Sequence, residues 1–337
     1  MKFTLHRFDL PTRRPFTISR GTTTVQATLI VELEQDGVRG YGEAPECTYY
    51  GASIEKIISA LEQVRPQVEA ARLDRPEAFW RQMQPWLESS SFAQCALDIA
   101  AHDLWGKFRG APVWKLWGLS IDRCPPTDYT IGIDPIDVMV QKMQEFPGWP
   151  IYKIKLGTRE DVEIVRALRR HTEAVFRVDA NCAWDAAETL DKAQALKPLG
   201  VEFIEQPLPP EQWQDMAEVC RQSALPIMAD ESCQCEGDVD RCAGHFHAIN
   251  IKLPKCGGLT PARRMITRAR QLSMKVMVGC FADSTVGISA IAQLLPLLDY
   301  ADMDGALLLA KDVAMGVRIE RGRVVYPEEP GCGIRLI

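Results

Sequence analysis

The sequence predicts an α/β protein in which a parallel (β/α) barrel follows a smaller α+β unit. Two observations lead there. Near residue 123 the pattern changes: before it, apolar alternation and then helical spacing occur in separate blocks; beyond it, short apolar runs alternate with amphipathic stretches. The second part also repeats. Its runs at 152–156, 175–180, 202–206, 226–231, 248–253, 275–280 and 300–305 each carry a polar residue near the end. These residues are Lys155, Asp179, Glu205, Asp230, Lys252, Cys280 and Asp304, at steps of 24, 26, 25, 22, 28 and 24. A step of that length holds one strand and one helix, and successive βα units close into a barrel. An open doubly wound sheet is the rival, and it gives no reason for a chemical residue at the end of each strand.

In chain order, residues 2–9 alternate through Phe3, Leu5 and Phe8, and 27–34 is rich in β-branched residues. Asp36-Gly37 marks a hairpin turn, and 38–42 returns as a strand. A helix is expected from about Ser53 as N-cap, with Ile54, Ile57, Ile58, Leu61 and Val64 on one face. Another spans roughly 91–107, with Phe92, Cys95, Ala96 and Ile99 on its stripe. After the barrel, 311–337 has no helical period and several Gly and Pro residues, so it is expected to pack back on the first unit. The expected division is 1–122, 123–309 and 310–337.

Composition narrows the function. Hydrophobic residues at 46% and charged residues at 25% describe a soluble globular protein. A net charge of −6 speaks against a nucleic-acid partner, and no run has the length of a membrane span. MKFTLHRFDL lacks the apolar stretch of a signal peptide, so a cytoplasmic location is expected. The eleven cysteines are scattered, with Cys233 and Cys235 the only close pair, so they read as reduced and mostly buried. The five histidines lack metal spacing and read as structural.

The chemistry belongs at the C-terminal ends of the barrel strands. Asp179, Glu205 and Asp230 fall there on consecutive strands. Any one alone is better explained as a helix cap or an ion-pair partner. Three in register repel one another unless a cation joins them, and oxygen donors suit magnesium, with manganese as the alternative. Lys153 and Lys155 alternate onto one face of the preceding strand, where each is expected to lower the other's pKa towards that of a general base. Lys252 ends the strand after Asp230. Two lysines then flank the carboxylates, so one can take an α-proton from a metal-bound carboxylate substrate while the other returns one to the opposite face. Lys255 reads as a loop residue.

K-I-K, V-D-A-N, E-Q-P, A-D-E-S and N-I-K-x-x-K-x-G-G, in this order and spacing, resemble the muconate-lactonizing subgroup of the enolase superfamily, whose lysine–magnesium chemistry is well attested. The resemblance extends over ALDIAAHDLWGK and PGCGI, essentially the whole chain. It implies a modified (β/α)7β, TIM-like barrel with an α+β capping domain completed by the C-terminal tail. It implies Lys155 and Lys252 as the acid/base pair, Lys153 as their tuner, and Asp179, Glu205 and Asp230 as metal ligands, with Asn181 and Glu231 behind them. The intermediate would be an enediolate.

Within the subgroup, Asp302-Met303-Asp304 resembles the acidic pair with which dipeptide epimerases hold a free ammonium, a group that needs charge-assisted acceptors on leaving water. A dipeptide substrate, inverted at its C-terminal residue, is therefore expected. The alternatives are N-acylamino acid racemase or o-succinylbenzoate synthase, and further off a non-catalytic ligand-binding barrel. PFTISRG resembles epimerases acting on L-alanyl-glutamate, with Arg20 either meeting the glutamate or lying on the surface. Glu46 would favour a cationic side chain, and Tyr49 and Tyr50 an apolar one. Thr130 is a further substrate contact by likeness. Barrels of this kind often form homo-oligomers, but no interface is legible in the sequence.

Overall fold

The computed structural model describes residues 1–337. The first unit is an antiparallel sheet of β1 (Lys2–Ile18), β2 (Gly21–Gln35) and β3 (Val38–Pro45), backed by α1 (Ile54–Ala70), α2 (Pro76–Leu87) and α3 (Ser91–Arg109). Asp36 and Gly37 both have positive φ, the primed turn that suits the twist of a tight hairpin. Ser53 caps α1 by accepting from the Lys56 N–H. The sequence reading did not include α2, whose face of Phe79, Met83 and Leu87 is interrupted by Pro85. Most of α3 is buried, because Gly40 and Gly42 of β3 let the sheet lie directly on its backbone.

The barrel has eight parallel strands in sequential order: β4 (Tyr129–Ile131), β5 (Ile151–Lys155), β6 (Val175–Asp179), β7 (Val201–Glu205), β8 (Ile227–Ala229), β9 (Ala248–Lys252), β10 (Lys275–Gly279) and β11 (Tyr300–Asp302). A parallel bridge between Thr127 and Ala301 joins the first edge to the last, so the barrel is nearly closed. Phe203, Met228, Ala248 and Met277 form a small apolar cluster from four neighbouring strands. Buried Arg177 pairs with Asp128 at 2.9 Å, a charge that needs such a partner to leave water.

The tail touches both units. Gly331 O accepts from Val113 N–H, Cys332 N–H donates to Asp103, and Lys107 donates to Ile334 O, all at the end of α3 or just beyond. Gly322 O accepts from Thr127 N–H at the barrel edge. Segment 13–24, which contains PFTISRG, is the far end of the β1–β2 hairpin, with a register shift between Pro11 and Phe16. That shift frees the strand to reach the barrel: Ala310 N–H donates to Pro11 O, and Ile133 N–H to Thr17 O. No helix is long and apolar enough to cross a membrane.

Candidate active site

Strand register assembles the site. Lys155 lies beside Asp179 across β5 and β6, and Asp179 beside Glu205 across β6 and β7. Asp230 directly follows β8. Asp179, Glu205 and Asp230 are all buried and each brings one ligand atom to within 4.8 Å of the others. Asp179 accepts from Lys155 Nζ at 2.6 Å and, on its other oxygen, from Asn181 N–H at 2.8 Å. Asn181 and Cys182 both have positive φ, a backbone costly for such residues that turns the amide back on the carboxylate. Glu205 accepts from Asn250 Nδ2 at 2.8 Å and lies 2.8 Å from Lys153 Nζ. Asp230 meets Lys252 at 3.0 Å and Lys255 at 2.6 Å.

These contacts set the charges. Burial pushes Asp179 up, but Lys155 and Lys153 more than offset it and bring it down to about 2. Burial also opposes ionisation of Asp230, and Lys252 and Lys255 hold it far below the usual carboxylate range. At Glu205 burial prevails over Lys153, and Asp179 and Asp230 add repulsion, so its pKa rises to about 7. Four lysines, Lys153, Lys155, Lys252 and Lys255, thus lie against the trio, and Glu205 is the carboxylate that they relieve least.

The residues fit a hard divalent cation. All three donors are carboxylate oxygens. Glu205 Oε2, although within ion-pair distance of Lys153, receives no well-directed hydrogen bond in its buried position. A buried acceptor with a free lone pair, facing two more carboxylates, is the donor set that magnesium takes.

A second acidic pair stands across the site. Asp302 Oδ2 lies 2.7 Å from Lys153 Nζ. Asp304 accepts from Thr130 twice, from N–H at 2.7 Å and Oγ1 at 3.1 Å. Burial raises Asp302 but Lys153 and Lys155 bring it below its ordinary value, while burial and Asp302 push Asp304 up to about 7. Lys155, Lys252, Asp230, Asn181, Asp302, Asp304 and Thr130 all line one cavity of about 560 Å³, roofed by the β1–β2 hairpin and residues 46–50.

Several sequence expectations need correction. Lys153 and Lys155 do not simply depress one another: burial lowers Lys153, but Asp302, Glu205 and Asp179 hold it well above the usual lysine range. Lys255 is no loop residue. It is buried in the short helix Leu253–Cys256, where Nζ donates to the Asp230 side chain and to the carbonyls of Asp230 and Cys233. Arg20 lines the cavity with part of its side chain open to it, and is also held from inside the protein. It pairs with buried Glu231 at 2.6 Å, donates to Asn181 O and lies over Tyr49. Glu46 receives the Ile54 N–H at the start of α1. Asn250 escaped the sequence reading, although alternation places it on the same face of β9 as Lys252. The histidines are structural where bonded inside the fold: His102 meets Thr260 Oγ1, and His247 accepts from Ile227 N–H.

Two family models match the chain. The one described as mandelate racemase / muconate lactonizing enzyme, N-terminal domain, covers residues 2–118, and the one described as enolase C-terminal domain-like covers 138–337. The chain is 53% identical to an L-Ala-D/L-amino acid epimerase of Maribacter sp., over all of this chain and 99% of that one. It is 51% identical to an L-Ala-D/L-amino acid epimerase of Flavobacterium johnsoniae, over the full length of both. A solved dipeptide epimerase of Cytophaga hutchinsonii, complexed with Mg and the dipeptide D-Ala-L-Val, superposes with a TM-score of 0.93 at 27% identity, covering 99% of this chain and 95% of that one.

Proposed function

The chain belongs to the mandelate racemase / muconate lactonizing enzyme family of the enolase superfamily, and from that premise we propose that it is a magnesium-dependent dipeptide epimerase. The observation that carries the proposal is that one cavity is lined by Lys155, Lys252 and Asp230, the last a member of the carboxylate trio, and also by a second acidic pair at Asp302 and Asp304. A dipeptide has a handle for each: a carboxylate at one end and an ammonium at the other. The names of the two half-identical relatives support the same activity.

Asp179, Glu205 and Asp230 would hold magnesium, which when bound supplies positive charge beside the substrate carboxylate as that group gains electron density. Asp302 and Asp304 accept the ammonium, with Thr130 orienting Asp304 through its two hydrogen bonds. The α-carbon of the C-terminal residue then lies between Lys155, on the Asp179 side, and Lys252, on the Asp230 side. One lysine, neutral, removes the α-proton; the other, charged, delivers a proton to the opposite face. One proton leaves and one arrives, so the centre inverts and nothing else changes. Lys153, on Glu205 and Asp302 at once, fixes the spacing between the two acidic groups. All eleven cysteines are unpaired, which supports work in a reducing compartment.

The test is a set of L,L-dipeptides with magnesium in deuterated water. Deuterium is expected at the α-carbon of the C-terminal residue, together with the L,D epimer. Lys155→Ala and Lys252→Ala are each expected to reduce epimerisation at least about a thousandfold, and Asp302→Asn to raise KM steeply. Preferred turnover of N-succinylamino acids, which have no ammonium, would overturn the proposal.

A further inference from the structure

We infer that the side chain of the epimerised residue is apolar, branched or aromatic, and that neither an acidic nor a basic side chain is the preferred occupant. The inference rests on the dipeptide-epimerase reading and adds the substrate class. Once the carboxylate faces the trio and the ammonium faces Asp302 and Asp304, the rest of the cavity wall belongs mainly to the hairpin and residues 46–50 of the first unit, with Cys280, Phe281, Ala282 and Leu308 from the barrel.

The two charged side chains in that wall are already engaged. Arg20 lies 2.6 Å from Glu231, whose side chain has no exposure, and it also donates to Asn181 O. Drawing the guanidinium off Glu231 towards a substrate carboxylate weakens the counter-charge of a buried group beside Asp230. An acidic side chain therefore has to share a guanidinium whose charge is already committed to a carboxylate in a drier place. Glu46 receives the Ile54 N–H where α1 begins, and a helix N-terminus favours a carboxylate held there. A basic side chain competes with that arrangement and meets Arg20 in the same wall.

Beside uncharged polar residues such as Thr22, Thr23 and Gln26, the rest of that wall is apolar. Phe16, Ile18, Val25, Tyr49, Tyr50 and Phe281 all face the cavity. Val25 is 50% exposed and Tyr49 is 46% exposed, among the few large hydrophobic residues in the chain left to water. A ligand side chain that covers them removes apolar surface from solvent. Tyr50 and Phe281 meet edge to face at 6.2 Å, and both lie against Phe92, so this part of the wall is rigid rather than adaptable.

The experiment measures kcat/KM for L-Ala-L-Leu, L-Ala-L-Phe, L-Ala-L-Glu and L-Ala-L-Lys with the magnesium-loaded protein in deuterated water. The leucine and phenylalanine dipeptides are expected to exceed the other two at least about tenfold, the size of effect that an apolar pocket can produce. The glutamate or lysine dipeptide matching them overturns the inference and leaves the epimerase intact. Exchange in none of the four brings down the epimerase reading itself, and the inference with it. Val25→Arg, on an exposed position away from the acid/base machinery, is expected to shift the Glu-to-Leu ratio towards Glu at least about tenfold. An unchanged ratio means that the substrate side chain does not reach this wall.

Discussion

Asn250 shows how one neutral side chain can govern a charged site. Its amide is buried on β9, with Nδ2 on Glu205 and its oxygen unpartnered. It fits there only because Gly279 on β10 has no side chain: a Cβ at that position would stand 2.7 Å from both Nδ2 and Oδ1. Glu205 is the member of the trio least relieved by lysines, so its orientation depends most on this bond. Asn250→Ala is expected to weaken magnesium binding by about ten- to a hundredfold in titration calorimetry. Unchanged affinity would show that Glu205 orients itself. Lys255 does comparable work on Asp230, and its misreading is instructive. In K-L-P-K the two lysines look like a site residue and its exposed neighbour. A single turn of helix at 253–256 instead brings the second one under the carboxylate from behind.

The contact of β3 with α3 is set by two glycines. A Cβ on Gly42 would run into the Ala96 carbonyl and the Ala100 amide, and one on Gly40 into the backbone at Ala100 and Leu104. These are main-chain atoms of a buried helix and cannot swing aside. Gly42→Ala is expected to cost about 1–3 kcal/mol, seen as a lower melting temperature, with the larger loss if α3 cannot shift. A melting temperature equal to the parent's would mean that sheet and helix slide freely. The sequence showed both partners, since 38–42 reads as a strand after the Asp36-Gly37 turn and Phe92 and Ala96 on α3 follow helical spacing. It did not show the hairpin end. Pro11, Pro15 and the threonines of 22–24 suggest a loop, and the strand forms there because β1 and β2 still pair from Phe16–Thr23 to Ile18–Gly21 while Pro11 and Thr17 accept from the barrel.

Where the two units meet, a buried carboxylate pair makes stability depend on pH. Glu43 of β3 accepts from Ser284 N–H at 3.0 Å, Ser284 Oγ at 2.6 Å and Gly287 N–H at 2.8 Å. Asp283 is buried beside it. Burial, then the charge of Glu43, pushes Asp283 up to about 8, and burial raises Glu43 as well. A carboxylate whose folded pKa is raised contributes stability in full below its unfolded value, near 4, and loses that contribution as pH rises through its folded value. The stability of the protein is therefore expected to fall between about pH 4 and pH 8 through this pair. Asp283→Asn should flatten the decline in melting temperature from pH 6 to pH 8. An equal slope in the variant would place the proton elsewhere.

The sequence by itself determined the architecture and the residue types of the chemistry. A 25-residue repeat dictates strand and helix in alternation, and a strand-end residue in each repeat can only converge at one end of a barrel. Lys155, Asp179, Glu205, Asp230 and Lys252 were legible for that reason, because strand register is local and periodic. Tertiary structure alone decided which charges are spent inside the protein. Arg20 and Glu231 are 211 positions apart in the chain, and nothing in either neighbourhood signals that they pair. The same holds for Asn250 on Glu205, Asp304 on Thr130 and Glu43 on Ser284. Sequence periodicity specifies which face of a strand or helix a side chain occupies. Whether its charge meets a partner or a substrate depends on what another part of the chain brings to that face, and only the folded packing of cap on barrel sets that.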